Sequence, residues 1–389
     1  MLDSPFPLQS ITDSELQRLA QALWNWDICE PCQSGAPCVL PSCSWRRSAR
    51  LWRFFDFYKA ITASYVPELL PGSKPALRDH ADVLDIILLL RANPDTQRHA
   101  LTHDYFRRRV IKPPPADQHR AFNLVVQVMT MVKCSAENQP SGLLELGTQP
   151  LPWHAHASLT EFMSRAFPES ERVHVCALDN QISHMKSALR ARRLRKVAGL
   201  RFRGTDDLRN HLRLDTSKGI VEIFHYTSVL KEQLLASRPS PDSHSLQGAV
   251  SEENIPRRVA LEALDSVQKI LFPFHSDSEE ILRHLVSRQS FDPDCLRYDL
   301  AGYRMQGEED ISYCYFGGRL IDLFKEQEDP KPHSILEKWF HRKSGARFMM
   351  MATLVGVFMA IILGVLGLAV GIFQAWLAYQ AWKHPVAAT

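Results

Sequence analysis

The chain has 389 residues, of which 45% are hydrophobic and 23% are charged. This composition excludes a largely disordered, collagen-like or disulfide-scaffold protein, and the length suggests about two domains at roughly 150 residues each. The 46 Lys and Arg residues against 43 Asp and Glu residues give a net charge of +3. This near balance gives no general reason to expect a specific nucleic-acid partner.

Residues 1–133 are predicted to form an N-terminal helical region. The first helix is expected to begin after Thr12, because Thr12 and Glu15 have the spacing of a capping box. Apolar residues recur at helical spacing in the later parts of this region. The further helices are predicted at about 49–66, 79–92, 98–109 and 117–133.

Four of the eight cysteines fall in a loop predicted over residues 27–45. They are Cys29, Cys32, Cys38 and Cys43, with the spacing C-x2-C-x5-C-x4-C. Four thiolates form a typical ligand set for a structural zinc ion, and a cytosolic location disfavours stable disulfides. Two interpretations stay open: a structural zinc site, or cysteines that pack as small hydrophobic side chains under the helices. No other cofactor is predicted.

The middle of the chain alternates between irregular and helical patterns. Residues 134–157 are rich in Pro and Gly and predict an irregular connection. Residues 158–236 are expected to form a second helical region, which includes a basic helix and a short strand at 220–226. The Pro- and Ser-rich residues 237–256 predict a flexible linker, and residues 257–346 a helical and juxtamembrane region.

A run of basic residues without an intervening acid crosses the second helical region. The candidate residues for contact with an anionic surface are Arg190, Arg192, Arg193, Arg195 and Lys196. Lipid headgroups or nucleic-acid phosphates would be attracted to such a surface. The alternative is a solvated helix paired with neighbouring Asp and Glu residues. Aromatic residues are scarce in the run, so base stacking is poorly supported.

The strongest signal is an uncharged segment near the C-terminus. Between Arg347 and Lys383 there is no Asp, Glu, Lys, Arg or His, and residues 352–373 are dense in apolar side chains. A helix needs about 20 such residues to cross a bilayer. The segment therefore predicts a transmembrane helix over 347–382, followed by a tail over 383–389.

The flanks of this segment predict its orientation. The N-terminus lacks the pattern of a secretory signal peptide, and few residues follow the apolar segment, so a tail anchor is expected. Five basic residues shortly precede the segment, and Lys383 alone follows it. By the positive-inside rule the large N-terminal part is predicted to be cytosolic, with the endoplasmic reticulum slightly favoured as the membrane.

Small residues of the apolar segment fall within an arc of about 100° on a helix with 3.6 residues per turn. They are Gly356, Ala360, Gly364, Gly367, Gly371 and Ala375. Such a face lets a second helix approach closely in lipid. The expected partner is a second copy or a different protein, although Gly and Ala are also simply common in membrane helices.

Several stretches resemble a large, uncharacterised group of filamentous-fungal proteins with a helical cytosolic region and one C-terminal membrane span. The stretches are AGLRF at 198–202, DDLRNHLRLD at 206–215, IFHYTSVLKEQL at 223–234, ALDSVQKILFP at 263–273 and YFGGRL at 315–320. The resemblance covers most of residues 180–380. It implies the architecture, but no activity or catalytic residue.

These patterns predict a mainly α fold with at most a small β element and one C-terminal transmembrane helix. The sequence has no phosphate-binding loop, dinucleotide fingerprint, nucleophile elbow or metalloprotease helix motif. The favoured function is that of a non-enzymatic membrane protein that binds another protein. The alternatives are a membrane-tethered enzyme with an unrecognised site, and a basic-patch binder of anionic lipid or nucleic acid.

Overall fold

The computed structural model describes residues 6–38, 40–68, 73–135, 149–169, 185, 187–238, 253–288, 291–298, 302–308, 311–330 and 347–383. Helices dominate, strands are short, and a long apolar helix lies near the C-terminus. The predicted fold class is therefore confirmed. The chain divides into two units, Met1–Pro330 and Lys331–Thr389.

The helices of the first unit have the following bounds. They are α1 (Asp13–Trp24), α2 (Glu30–Gln33), α3 (Trp52–Ala63), α4 (His80–Ala92), α5 (Arg98–Arg107), α6 (Pro115–Thr130), α7 (Leu159–Ala166), α8 (Ala191–Val197), α9 (Thr227–Ala236), α10 (Arg257–Asp265), α11 (Asp277–Arg288) and α12 (Gly317–Glu328). Short 3₁₀ turns lie at Ser44–Arg50, Leu208–Asn210 and Pro293–Leu296, and a π-helical turn at Ser266–Leu271 extends α10.

Helix α1 begins where the capping pattern predicts. The Thr12 side chain accepts a hydrogen bond from the Glu15 amide, and the Glu15 carboxylate accepts one from the Thr12 amide at 2.7 Å. Leu16, Leu19 and Leu23 then form a buried face. The capping box fixes the helix start, and the apolar face joins the helix to the core.

The strands form two small sheets. They are β1 (Cys134–Ser135), β2 (Leu151–Pro152), β3 (Arg201–Thr205), β4 (Leu214–Asp215) and β5 (Ile220–Phe224). Strands β1 and β2 pair in parallel. In the second sheet the order is β3-β5-β4, with β5 parallel to β3 and antiparallel to β4. The carboxyl ends of β3 and β5 therefore lie side by side.

Helix α9 lies deep in the core, since every residue from Thr227 to Leu234 is buried. Its charged side chains have partners, as burial demands. The Lys231 ammonium lies 2.7 Å from an Asp294 carboxylate oxygen, and Glu232 accepts a hydrogen bond from Arg47 at 2.9 Å. The core is therefore held together by ion pairs as well as by apolar packing.

The predicted linker at 237–256 falls mostly on residues outside the described ranges. At its carboxyl end the chain is packed into the core. The Asn254 side chain donates a hydrogen bond to the Leu23 carbonyl at 2.7 Å, and Ile255 is fully buried. These contacts tie the start of α10 to α1.

The second unit contains α13 (Arg347–Lys383). Its residues Thr353–Gln380 form one continuous helix that is long and apolar enough to cross a membrane, and its most apolar part has no buried residue. At 1.5 Å per residue these 28 residues extend for about 42 Å, against roughly 30 Å of hydrocarbon in a bilayer.

Candidate metal centre

The Cys-rich loop is a closed turn between α1 and α3. The Ser44 amide donates to the Asp27 carbonyl at 3.0 Å and closes the loop at its base. The short helix α2 has Pro31 in its first turn, and Gly35 has a φ of +79° directly after it. Only glycine adopts that backbone conformation readily. The chain therefore turns sharply after α2.

The folded loop brings the sulfur atoms of Cys29, Cys32, Cys38 and Cys43 together. All four lie within 4.8 Å of one another, and the Cys32 and Cys43 sulfurs are 3.8 Å apart. Four sulfurs around a zinc ion at about 2.3 Å stand about 3.8 Å from each other. None of the four is in a disulfide. The cluster therefore fits a single tetrahedral metal ion, and zinc is one such ion.

The surroundings of Cys43 favour the thiolate form of its side chain. Burial raises the pKa of Cys43, but hydrogen bonds from the backbone amides of Cys29 and Trp45 lower it to about 7. The pKa of Cys32 is raised by burial and by the neighbouring thiols, and burial also raises the pKa of Cys38. Thiolates packed together repel one another, and a divalent cation would remove that repulsion.

The two flanks of the loop are fastened to the same residue of α9. Trp26 donates its indole N–H to Glu232 at 3.0 Å, and Arg47 donates to the same carboxylate at 2.9 Å. The Arg47 guanidinium also lies over the Trp26 ring, 5.2 Å from its centroid. Burial raises the pKa of Glu232, against the opposing effect of Arg47. The cysteine cluster is thus attached to a deeply buried helix of the first unit.

A second polar cluster, which the sequence patterns did not indicate, lies at the carboxyl ends of β3 and β5. Asp206 follows β3, and His225 and Tyr226 follow β5. The Tyr226 hydroxyl donates to Asp206 at 2.9 Å, and the His225 Nε2 atom lies 3.7 Å from the same oxygen. These neighbours lower the pKa of Asp206. The cluster opens on a cavity of about 440 Å³, which Arg53 and Phe57 also line.

The hydrogen bonds of His225 indicate whether either of its ring nitrogens is available as a base. The Asp292 amide donates to Nδ1 of His225 at 3.2 Å, so a neutral ring carries its proton on Nε2, facing Asp206. The His225 ring stacks on the rings of Tyr226 and Phe291. A Cβ atom on Gly204 would stand only 2.8 Å from the ring. The cluster therefore holds the two strand ends together, and neither ring nitrogen is left as a free base.

This cluster was missed because its two halves are 19 residues apart in sequence and meet only through strand pairing. The sequence predicts β5 but not β3. If both strands had been recognised as parallel neighbours, the polar residues after each strand would have been expected at one sheet edge, where α/β proteins place ligands.

The predicted basic surface lies on and beside α8. Arg190, Arg192, Arg193, Arg195 and Lys196 are all exposed, while Ala191 and Leu194 are buried. The Arg192 side chain lies 3.5 Å from an Asp277 oxygen. Within the part of the chain that the structure describes, the other four have no ion-pair partner. Contact with an anionic surface stays a prediction.

The small-residue face of α13 is open. A Cβ atom added at Gly356, Gly364, Gly367 or Gly371 would have nothing within 4 Å outside the helix itself. Ala360 and Ala375 are also exposed. Among the described residues, none covers these glycines, and helix pairing stays a prediction.

Comparison of the chain with protein-family models, with curated proteins and with solved structures finds no match.

Proposed function

We propose that the protein is anchored in a membrane by the helix Thr353–Gln380 and that its helical first unit binds another protein at the cytosolic surface. The observation that supports anchoring most directly is the exposure of this helix. Its aliphatic side chains include Leu363 and Leu368, both 67% exposed. A continuous apolar surface of this size is unfavourable in water and favourable in lipid.

The flanking charges support the orientation. Lys331, Lys338, Arg342, Lys343 and Arg347 precede the apolar stretch, and Lys383 alone follows it. Positive charge is retained on the cytosolic side of membranes, so the first unit is on that side. The weakly basic end slightly favours the endoplasmic reticulum.

Zinc at the cysteine cluster is the second part of the proposal. The fit of four sulfurs to one tetrahedral ion supports it, and so does the attachment of the loop to Glu232 through Trp26 and Arg47. When bound, the ion would link Cys29, Cys32, Cys38 and Cys43 and fix the loop against α9. Four thiolates leave no open position for a substrate, so the role is structural.

Glycosylation mapping tests the orientation. An Asn-x-Ser/Thr acceptor placed after Thr389 is expected to be glycosylated in microsomes, and an acceptor placed before Met1 is expected to stay unmodified. The reverse pattern would contradict the orientation.

Proximity labelling tests partner capture. The full chain is compared with a version that ends at Ser344, which lacks α13. We expect a set of membrane-associated proteins labelled only by the full chain. Identical labelling by both versions would contradict partner capture at the membrane.

A further inference from the structure

Among the described residues of the first unit, the loop between α5 and α6 carries the most exposed aliphatic residue. Val110 is 102% exposed and Ile111 is 42% exposed. Arg107, Arg108 and Lys112 flank them and are also exposed. An apolar tip surrounded by cations is the pattern of segments that lie in the headgroup region of an anionic membrane.

The base of this 107–112 loop is firmly held. Among its three consecutive arginines, Arg109 alone turns inward, donating to the Ala76 carbonyl at 2.7 Å and to Asp82 at 2.9 Å. Its guanidinium also lies 4.9 Å from the Phe106 ring centroid. Pro113 and Pro114 are buried on the other side of the tip. The fold therefore fixes the base and leaves the tip projecting.

Within the described structure, the outward-facing side chains of the loop are not engaged in ion pairs that would compete with binding to a membrane. Across the described ranges, Arg107, Arg108 and Lys112 form no ion pair, and the amides of Val110, Ile111 and Lys112 donate to no backbone carbonyl. Two aliphatic side chains are also too few for a protein interface, which typically covers about 800 Å² on each partner. The charge and the small apolar tip suit a lipid surface better.

We propose that the 107–112 loop docks on the cytosolic leaflet of the membrane that holds the protein. Val110 and Ile111 enter the boundary between headgroups and acyl chains, and Arg107, Arg108 and Lys112 contact anionic headgroups. This inference rests on the proposed anchoring, which keeps the loop at high effective concentration near a bilayer.

Hydrogen exchange of the full-length protein in lipid nanodiscs tests the inference. One preparation contains phosphatidylcholine alone, and the other contains phosphatidylcholine with 30% phosphatidylserine. We expect the amides of residues 110–112 to exchange at least about fivefold more slowly in the phosphatidylserine discs, because docking removes them from water. Raising the salt concentration should reverse the effect.

The double variant Val110→Asp/Ile111→Asp is expected to lose this protection, because carboxylates at the tip are repelled by the headgroups. The control is Leu88→Asp, since Leu88 is 52% exposed on α4 and lies outside the loop. It should keep the protection. Equal exchange in both lipids, or protection that survives the double variant, would overturn the docking. A protein that does not enter the discs would overturn the anchoring and the docking with it.

Discussion

At the cysteine loop, individual residues determine how the four sulfur atoms are brought together. The Pro31 turn and the left-handed Gly35 bring sulfurs from four positions within 4.8 Å of one another. The spacing in the sequence singles out the four cysteines whose sulfur atoms the structure brings together. It does not reveal that Trp26 and Arg47 attach both ends of the loop to Glu232, because that carboxylate is 206 residues from Trp26.

Replacing one ligand tests the metal. We expect the purified protein to contain one zinc per chain and the variant Cys43→Ser to contain none, with a free energy of unfolding lower by about 3 kcal/mol, as for the loss of a structural cross-link. Elemental analysis and thermal unfolding measure both. The control Cys134→Ser, which changes a cysteine outside the cluster, should keep the zinc. Absence of zinc from the unaltered protein would contradict the site.

Buried His211 makes the stability depend on pH. Burial and the nearby Arg319 lower its pKa to about 3, and its Nε2 atom lies 2.6 Å from the Ser266 hydroxyl. In the unfolded chain the His211 side chain has a pKa near 6.5. Between pH 6.5 and pH 3 it is therefore protonated in the unfolded state and neutral in the folded state. The free energy of unfolding is therefore not reduced by His211 above pH 6.5, and it falls as the pH drops toward 3.

The expected loss attributable to His211 is about 2 kcal/mol between pH 6.5 and pH 5. Denaturant unfolding across this range measures it. The variant His211→Gln, even if less stable at neutral pH, should show a flatter dependence, whereas His103→Gln on the exposed side of α5 should keep the original slope. An unchanged slope in His211→Gln would refute the assignment.

Among the elements, helices were predictable and one strand was not. Apolar periodicity located α3 to α6 within a few residues of their observed ends, because their buried faces follow the helical repeat. Strand β3 lies at the end of the basic run and was not predicted. Gly199, with a φ of +65°, ends the helical stretch, and Phe202 is then buried between the exposed Arg201 and Arg203. A five-residue strand with only one buried side chain shows too little alternation of apolar and polar residues to be recognised as a strand in the sequence.

The small-residue face of α13 is tested by adding bulk. In the variant Gly364→Ile/Gly367→Ile we expect self-association or partner capture in membranes to fall by roughly tenfold, because the branched side chains keep helix backbones apart. Energy transfer between labelled copies, or cross-linking in vesicles, measures it. Ala369→Ile on the opposite face should have no effect. Unchanged association in the double variant would count against this face.

The whole first unit depends on contacts that no local pattern could reveal. Three contacts join residues that are far apart in sequence. Lys231 and Asp294 connect α9 to the 3₁₀ turn Pro293–Leu296. Glu232 with Arg47, and Asn254 with Leu23, connect the N-terminal region to α9 and to the residues just before α10. Apolar and charge patterns report which residues are buried or exposed, but not which of them meet. The mainly helical class was therefore predictable, and the polar core was not.

Membrane anchoring is the central claim for the whole molecule, and alkaline carbonate extraction tests it most directly. Vesicles carrying the full chain are washed at high pH and sedimented, beside vesicles exposed to the version that ends at Ser344. The full chain is expected to stay in the pellet, because on this account Thr353–Gln380 would be embedded in hydrocarbon, while the shortened chain is released. Release of the full chain into the supernatant would contradict the account.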